Sequence, residues 1–379
     1  MVDYLGITIL LGSFILLLIL RTPISFALLT SAILTSFYLK VPLMSVAVQM
    51  VKGIHSFSLL AIPFFILAGE IMGAGGISRR IIEFTNVLVG RVRGGLAQVN
   101  ILASMFFGGI SGSAIADVSS IGALLIPMMK DSGYDTDYAV DVTITSACQG
   151  LIIPPSHNMI IFAVSAGGVS VGQLFLGGMR PGVLLGMALM IISYVIAVKR
   201  GYPKGAKISF KEAIKIASSA ILGLLTAVII IGGVIGGIFT ATESAAVACL
   251  YAFIVTFFIY REIPLSKMDE ILLNALRTLA TVLALLACCN AFGWFLAYLK
   301  IPALITGALL GVSNNKIVVL LLINLLLLAL GTIMDMAPLI MITTPILMPV
   351  IQSIGMNPIQ FGVMMVLNLA IGLCTPPVG

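Results

Sequence analysis

Shifting the chain by 222 residues lays its helix breakers on one another. Pro42 falls on Pro264, Gly109 on Gly331, Pro127 on Pro349, Gly133 on Gly355, Gly150 on Gly372, Pro154 on Pro376 and Pro155 on Pro377. Proline and glycine are the residues a helix interior tolerates least, so their recurrence at one offset marks two copies of a single unit joined head to tail. The copies are residues 1–215 and 216–379. The chain is 60% hydrophobic and 9% charged, with a mean hydropathy of +1.20. A water-soluble domain carries about 25% charge, so this chain belongs in a bilayer, with membrane lipid as its solvent.

Ile216 to Thr242, Thr278 to Leu299, Ile317 to Met334, Val142 to Met179 and Met336 to Gly379 lack any formal charge. Roughly 20 apolar residues cross the hydrocarbon, so each run is one span or more. Basic residues cluster in the short connections, above all Lys199, Arg200, Lys204, Lys207, Lys211 and Lys215. By the positive-inside rule the 199–215 loop is cytoplasmic. Alternation then predicts spans near 4–20, 24–39, 57–73, 218–238, 243–260 and 271–298, with the N-terminus outside. Of the 20 Lys and Arg, all but Lys40, Lys52, Arg180, Lys300 and Lys316 lie on the inner side. The net charge of +6 is thus a topology signal and not a nucleic-acid footprint. No signal peptide or soluble domain is expected. Cys148, Cys249, Cys288, Cys289 and Cys374 sit in apolar runs without metal-ligand spacing and read as small core residues.

Two segments resist simple spanning. Residues 94–130 carry GGISGSAIAD (Gly108 to Asp117) at their middle, and residues 316–352 carry GTIMDMAP (Gly331 to Pro338). Each reads as an apolar arm, a small polar tip and a second arm, that is, a re-entrant helical hairpin. Entry is from the inside in the first copy and from the outside in the second. The other pair of breaks, IIPPS near 152–156 and CTPPV near 375–378, falls in mid-span. A Pro-Pro step removes two amide donors and drives the preceding residue out of the α region, so the helix must unwind there. The predicted fold is an all-α polytopic membrane protein of two inverted repeats, each with a re-entrant hairpin and a broken helix. Paired breaks in two hydrophobic halves point to the binding site of a secondary transporter near the midplane.

Broken helices expose carbonyls at one half-helix end and amides at the other, so one break offers both a cation and an anion site. Ser111, Ser113, Ser156, Thr332 and Thr375 add hydroxyls; Asp117 and Asp335 add formal charge. For Asp117 two readings stand open, an ion ligand or a cap on the second hairpin arm beside its dipole. Asp335 lies among apolar residues, where an ionisable group is functional by default. Glu70 and Glu243 read as interfacial or paired. Arg180 and His157 are candidates for a substrate anion, against snorkelling for the arginine and a satisfied polar role for the histidine. No G-x-x-x-x-G-K-[ST], H-E-x-x-H or G-x-S-x-G string is present, so neither ATP-driven transport nor these enzyme classes are expected.

The strings AIPFFILAGEIM (Ala61 to Met72), GGISRR (Gly75 to Arg80), GGLAQVNILASMFFGGISGSAIAD (Gly94 to Asp117), LIIPPS (Leu151 to Ser156) and GLCTPPVG (Gly372 to Gly379) closely resemble the large, DctM-type permease subunit of TRAP transporters, the tripartite ATP-independent periplasmic family. The resemblance runs nearly end to end. It implies a bacterial inner-membrane permease with an elevator-type fold that uses a sodium gradient to import an organic acid such as a C4-dicarboxylate. Its implied partners are a periplasmic substrate-binding protein and a small four-helix membrane subunit. Position by position, it implies one sodium site from Ser111, Gly112 and Ser113, with Asp117 nearby, against Pro154, Pro155 and Ser156. A second is implied from Gly331, Thr332 and Asp335 against Thr375, Pro376 and Pro377. The substrate is expected between them, with Ser156, His157, Asn158, Pro377, Gly379 and Arg180 as candidate contacts. His157, Asn158 and Arg180 depart from the aliphatic residues expected in many relatives. The chain ends just after the second break, which reads as a truncation. A passive channel built from the same hairpins, or an intramembrane enzyme using Asp117 and Asp335, are the rival readings.

Overall fold

Uncharged apolar runs in lipid close their backbone hydrogen bonds within one segment, and helix is the result throughout. A computed structural model of the chain describes residues 3–206, 208–313 and 315–376, and the side chains of Ile110 and Ser111 lie outside that description. The helices are α1 (Tyr4–Ile19), α2 (Ile24–Tyr38), α3 (Leu43–Ile54), α4 (Ala61–Ala74), α5 (Ile77–Val89), α6 (Gly95–Ser111), α7 (Ala114–Asp117), α8 (Ala123–Asp131), α9 (Thr136–Gly150), α10 (His157–Ser165), α11 (Val171–Lys199), α12 (Phe210–Ile235), α13 (Ala241–Ile254), α14 (Met268–Tyr298), α15 (Ile301–Val312), α16 (Lys316–Gly331), α17 (Met336–Ser353) and α18 (Pro358–Leu373). Among the described residues, six stretches are long and apolar enough to cross a membrane: Phe57–Ala74, Val171–Lys199, Phe210–Ile235, Ala241–Tyr260, Leu265–Tyr298 and Met336–Ser353.

The duplication is visible in the elements. Ala114 and Met336, which open the second hairpin arms, stand at the offset of 222, as do the helices α9 and α18 that follow them. The copies differ in detail. Residues Val118–Gly122 form a π-helical turn in the first hairpin, whereas α17 runs unbroken through Pro345 and Pro349. Short α3, α5 and α15 were not among the predicted spans; at 12, 13 and 12 residues they are too short to cross. The predicted 199–215 loop is shorter than expected, because α12 starts at Phe210. Ser209 caps it, accepting from the Glu212 amide at 3.3 Å. Lys211 and Lys215 therefore lie in a helix.

Two compact units are built from these elements, one from residues 1–59, 160–170 and 277–379, the other from residues 60–159 and 171–276. They cut across the sequence copies, whose 215/216 boundary falls inside α12. In the first unit, Leu10, Leu28, Phe292 and Phe295 are buried in one core, and Phe162 of α10 meets Phe361 of α18 with ring centroids 6.0 Å apart. Here α16 lies along α18, and α15 along α17.

In the second unit, α4 lies along α13 and α6 along both α5 and α9. Arg80 of α5 ties three elements together. Its Nη2 lies 2.6 Å from Glu262 Oε1, its Nε donates to Ser219 Oγ at 3.0 Å, and its guanidinium stacks 3.7 Å over the Tyr260 ring. Gly76, at φ 68°, is the approach that makes room, since a Cβ there would run into the Glu262 carboxylate. Breaking a fully buried pair costs about 3–5 kcal/mol. Because Glu262 is 42% exposed, Arg80→Ala is expected to cost less, about 1–2 kcal/mol, read as a lower unfolding temperature in detergent.

A second clasp joins the start of α9 to the end of α11. Tyr202 donates to Asp135 Oδ2 at 2.8 Å and Arg200 Nη1 to the same oxygen at 2.7 Å. The tyrosine hydrogen bond first, and the arginine second, hold the Asp135 carboxyl below the usual carboxylate range. With the folded-state value lowered, the clasp contributes fully above the ordinary aspartate value of about 3.9 and is lost as pH falls through the folded-state value. Tyr202→Phe is therefore expected to raise the Asp135 titration point, measurable by carboxylate NMR, and to leave stability at neutral pH nearly unchanged.

Candidate functional site

The first hairpin tip is only two residues long. α6 ends at Gly112 in the left-handed region (φ 62°), its N–H bonding Gly108 O at 2.8 Å. Ser113 then caps α7, accepting from the Ala116 amide at 3.3 Å. Opposite it, α9 stops at Gly150, Leu151–Ser156 are not helical, and α10 begins at His157. The Pro-Pro step therefore unwinds the helix as predicted. Tip and turn are pressed together by glycine. A Cβ on Gly108 would run into Gly150 Cα. One on Gly109 would lie 3.0 Å from Pro154 O, and one on Gly112 3.0 Å from both Pro155 O and His157 Nδ1.

The far side of the turn rests on α11 through a glycine stripe that the sequence reading missed. A Cβ on Gly178 would stand 2.7 Å from Ile152 O, one on Gly182 2.8 Å from Ile153 Cγ1, and one on Gly186 2.6 Å from Met105 Sδ. The spacing of four was the available signal, a small-xxx-small pattern that lets helices approach closely. Arg180 falls midway between Gly178 and Gly182 and is exposed, on the opposite side of α11 from the turn. The structure does not bring it to the site.

Around this clasp, polar groups are buried without partners. Ser156 Oγ and His157 Nδ1 have no hydrogen-bond partner, and neither oxygen of Asp117 has one, although Ser104 is its polar neighbour. Asp117 is 1% exposed and opens the π-helical turn, a feature frequent at functional sites. Leaving such groups unpaired costs about 1–3 kcal/mol each, more when charged. Asn158 is buried. Further polar residues escaped the sequence reading. Asn100 Nδ2 donates to Thr143 Oγ1 at 2.6 Å, joining α6 to α9, and Gln149 Nε2 donates to Gly182 O at 3.2 Å. Thr143, Ser146 and Gln149 recur at helical spacing in an uncharged run, which was their signal.

The second copy repeats the crossing. A Cβ on Gly372 would lie 2.8 Å from Gly331 Cα, bringing α18 against α16. Asn368 Nδ2 donates to Asn324 Oδ1 at 2.9 Å one turn away, a pair also missed. The tip here is longer, Thr332–Asp335. Thr332 Oγ1 donates to Ala329 O at 2.8 Å and Thr375 Oγ1 to Ile371 O at 3.1 Å. Pro376 follows in a turn. Pro377 and Gly379 lie outside the described residues, as does the side chain of Ser111.

Of the two aspartates, Asp335 stands at a helix cap and Asp117 is buried. Asp335 is exposed and caps α17, accepting from the Met336 amide at 2.8 Å. Ser113, its counterpart at the 222 offset, caps the first arm, so capping belongs to that position in both copies. Asp117 lies one turn further on and is the buried, unpartnered acid. Glu243 is structural: it closes a capping box with Thr240, whose amide donates to Glu243 Oε2 at 2.8 Å.

A glycine-clasped hairpin tip against an unwound mid-chain turn, a second glycine crossing at the 222 offset and several membrane-length helices, in an all-helical chain, define a polytopic membrane transport protein. The family model described as "Tripartite ATP-independent periplasmic transporter, DctM component" matches residues 11–379, and the chain belongs to that family. Among its relatives, the sialic acid TRAP transporter large permease protein SiaM of Vibrio cholerae is 44% identical over 88% of this chain and 78% of its own. The 2,3-diketo-L-gulonate TRAP transporter large permease protein YiaN of Escherichia coli is 39% identical over 94% of this chain and 84% of its own. The crystal structure of the Alcanivorax borkumensis YdaH transporter, described as having an unusual topology, matches with a TM-score of 0.60 at 14% identity, over 87% of this chain and 77% of that one, and shares the fold. The chain is thus a transport protein, and the reading of an intramembrane enzyme falls away.

Proposed function

We propose that this chain is the large permease of a sodium-coupled symporter importing a small organic acid across the bacterial inner membrane, with its N-terminus on the periplasmic side. Named relatives handle sialic acid and 2,3-diketo-L-gulonate, both carboxylates, which supports an organic acid as cargo. Membership of a tripartite family, among whose proteins its relatives are large permeases, supports two partners, a small four-helix membrane subunit and a periplasmic substrate-binding protein. The two copies work as inverted repeats, by the elevator motion that the resemblance implies.

The observation that carries it is the first clasp, where a hairpin tip and an unwound turn gather main-chain oxygens beside buried, unpartnered Ser156 and Asp117. Alkali cations prefer such oxygen donors, and a cation would compensate the buried carboxylate. In this reading Gly112, Ser113, Pro154, Pro155 and Asp117 serve sodium, while Ser156, His157 and Asn158 face the acid. Gly331, Thr332, Asp335, Thr375 and Pro376 serve the second ion. The test is uptake of labelled organic acids into proteoliposomes holding both membrane subunits, with the binding protein outside. Uptake is expected to saturate and to require an inward sodium gradient. Equal uptake with choline in place of sodium, or a substrate-independent ion current, would overturn it.

A further inference from the structure

Gln149 is the penultimate residue of α9, standing between the Thr143–Ser146 stretch and the Gly150 crossing. Its side chain is fully buried in the second unit and has no part in the ion site proposed above. The Nε2 reaches across to α11 and donates to Gly182 O at 3.2 Å. A carbonyl has two lone pairs, so this bond does not displace the helix's own. The Oε1 is enclosed and has no partner among the described residues. An apolar side chain of similar volume would fill the same space without the desolvation cost of an unpaired oxygen. Packing alone does not call for an amide here.

What the amide does is visible in the turn that follows it. The main-chain oxygen of Gln149 accepts from the Ile152 amide at 3.1 Å, so one residue closes the first link of the unwound segment and grips α11 with its side chain. Ile152 and Ile153 then lie on the same stretch of α11. A Cβ on Gly178 would stand 2.7 Å from Ile152 O, and one on Gly182 would stand 3.6 Å from Ile153 N and 3.7 Å from Ile152 C. Gly182 thus meets the segment twice, through its carbonyl at Gln149 and through its Cα at Ile152 and Ile153. Gly186, one turn on, leaves room for the amide, since a Cβ there would run into Gln149 Nε2. Because Leu151–Ser156 are not helical, the aim of the Pro154 and Pro155 carbonyls depends on such lateral anchors and not on a hydrogen-bonded ladder.

We propose that Gln149 is a positioning residue of the first ion site. Its amide pins the base of the unwound turn to α11 and so sets where the Pro154 and Pro155 carbonyls point, without touching the ion. This role rests on the reading of that clasp as a sodium site. Groups that hold a metal's ligands in place matter nearly as much as the ligands, and losing one costs about 10–100-fold in affinity.

The test is thermal unfolding of the full chain in detergent across a sodium chloride series, with choline chloride holding the ionic strength constant. The rise of the unfolding temperature with sodium gives an apparent Kd. Gln149→Met, unbranched and of similar length, keeps the volume and removes both the donor and the unpaired oxygen. It is expected to unfold in choline at nearly the temperature of the unaltered chain and to raise the apparent sodium Kd about tenfold. Gly186→Ala, which retains the amide but pushes it aside, is expected to raise the Kd as well, and it decides by the same measurement should Gln149→Met not fold. In proteoliposomes Gln149→Met should need more sodium for half-maximal uptake and keep its rate at saturating sodium. A side chain that only packs would shift the unfolding temperature equally in sodium and in choline. An unchanged Kd in Gln149→Met, with the unaltered chain responding to sodium, would overturn the positioning role alone. No sodium response in the unaltered chain would overturn the sodium site together with it.

Discussion

Gly108→Ala is expected to abolish uptake and to lower the unfolding temperature more than any other single glycine-to-alanine change in the two clasps. Its Cβ would run into Gly150 Cα, with Gly150 C and O 2.9 Å away, and main chain cannot rotate aside as a side chain can. Relief requires parting α6 from α9, which would also part the hairpin tip from the Pro154 and Pro155 carbonyls. Overpacking of this kind costs about 1–3 kcal/mol. Gly372→Ala, with its Cβ 2.8 Å from Gly331 Cα, should follow, and Gly331→Ala, at 3.1 Å from Gly372 Cα, should be milder. Gly232→Ala and Gly293→Ala meet nothing within 4 Å and should be neutral or stabilising by about 0.5–1 kcal/mol. Thermal unfolding in detergent alongside uptake separates the cases. A Gly108→Ala protein as stable and active as Gly232→Ala would show that the close crossing is not needed.

Asp117→Asn is expected to remove sodium-dependent stabilisation and sodium-driven uptake while the protein stays folded. A ligand at a hundredfold its Kd stabilises the folded state by about 2.7 kcal/mol, so the unaltered chain should unfold at a higher temperature in sodium chloride than in choline chloride. The amide is neutral and close in shape, and it relieves the cost of burying a carboxylate without a partner. The variant should therefore match or exceed the unaltered chain in choline and gain nothing from sodium. Asp335→Asn should behave differently: asparagine caps a helix as well as aspartate, so α17 keeps its start and the sodium response should fall less. An undiminished sodium increment in Asp117→Asn would move the ion away from that carboxylate.

Several of these elements were readable before any coordinates. The helices α1, α2, α4, α12, α13 and α14 follow from largely apolar runs, although α1 and α2, at 16 and 15 residues, fall short of the spans expected there, and the break at Leu151–Ser156 follows from a proline pair that leaves the helix no amides to continue with. Short helices were harder. α3, α5 and α15 fall below the length at which an apolar run signals itself as a span, and α5 reads as polar because Arg79, Arg80 and Glu83 share its 13 residues. The start of α12 was legible in Ser209 and Glu212, whose spacing is that of a cap and its third residue, but the lysines around them favoured a loop.

The site divides along the same line. That helix breakers recur in two copies, and that the Pro154-Pro155 step unwinds its helix, is a property of the string, because adjacent prolines remove two amides locally whatever surrounds them; single prolines do not decide it, since α17 runs on through Pro345 and Pro349. Which acid is buried is not. Asp117 and Asp335 both sit among small and apolar neighbours in sequence, yet one is enclosed by α6 and α9 and the other caps a helix at the surface. The Gly108–Gly150 and Gly331–Gly372 crossings, the seat of the unwound turn on Gly178, Gly182 and Gly186, and the Arg80 clasp all join residues far apart in the chain. Desolvation and close approach are set by what arrives from elsewhere, so only the tertiary structure decided them.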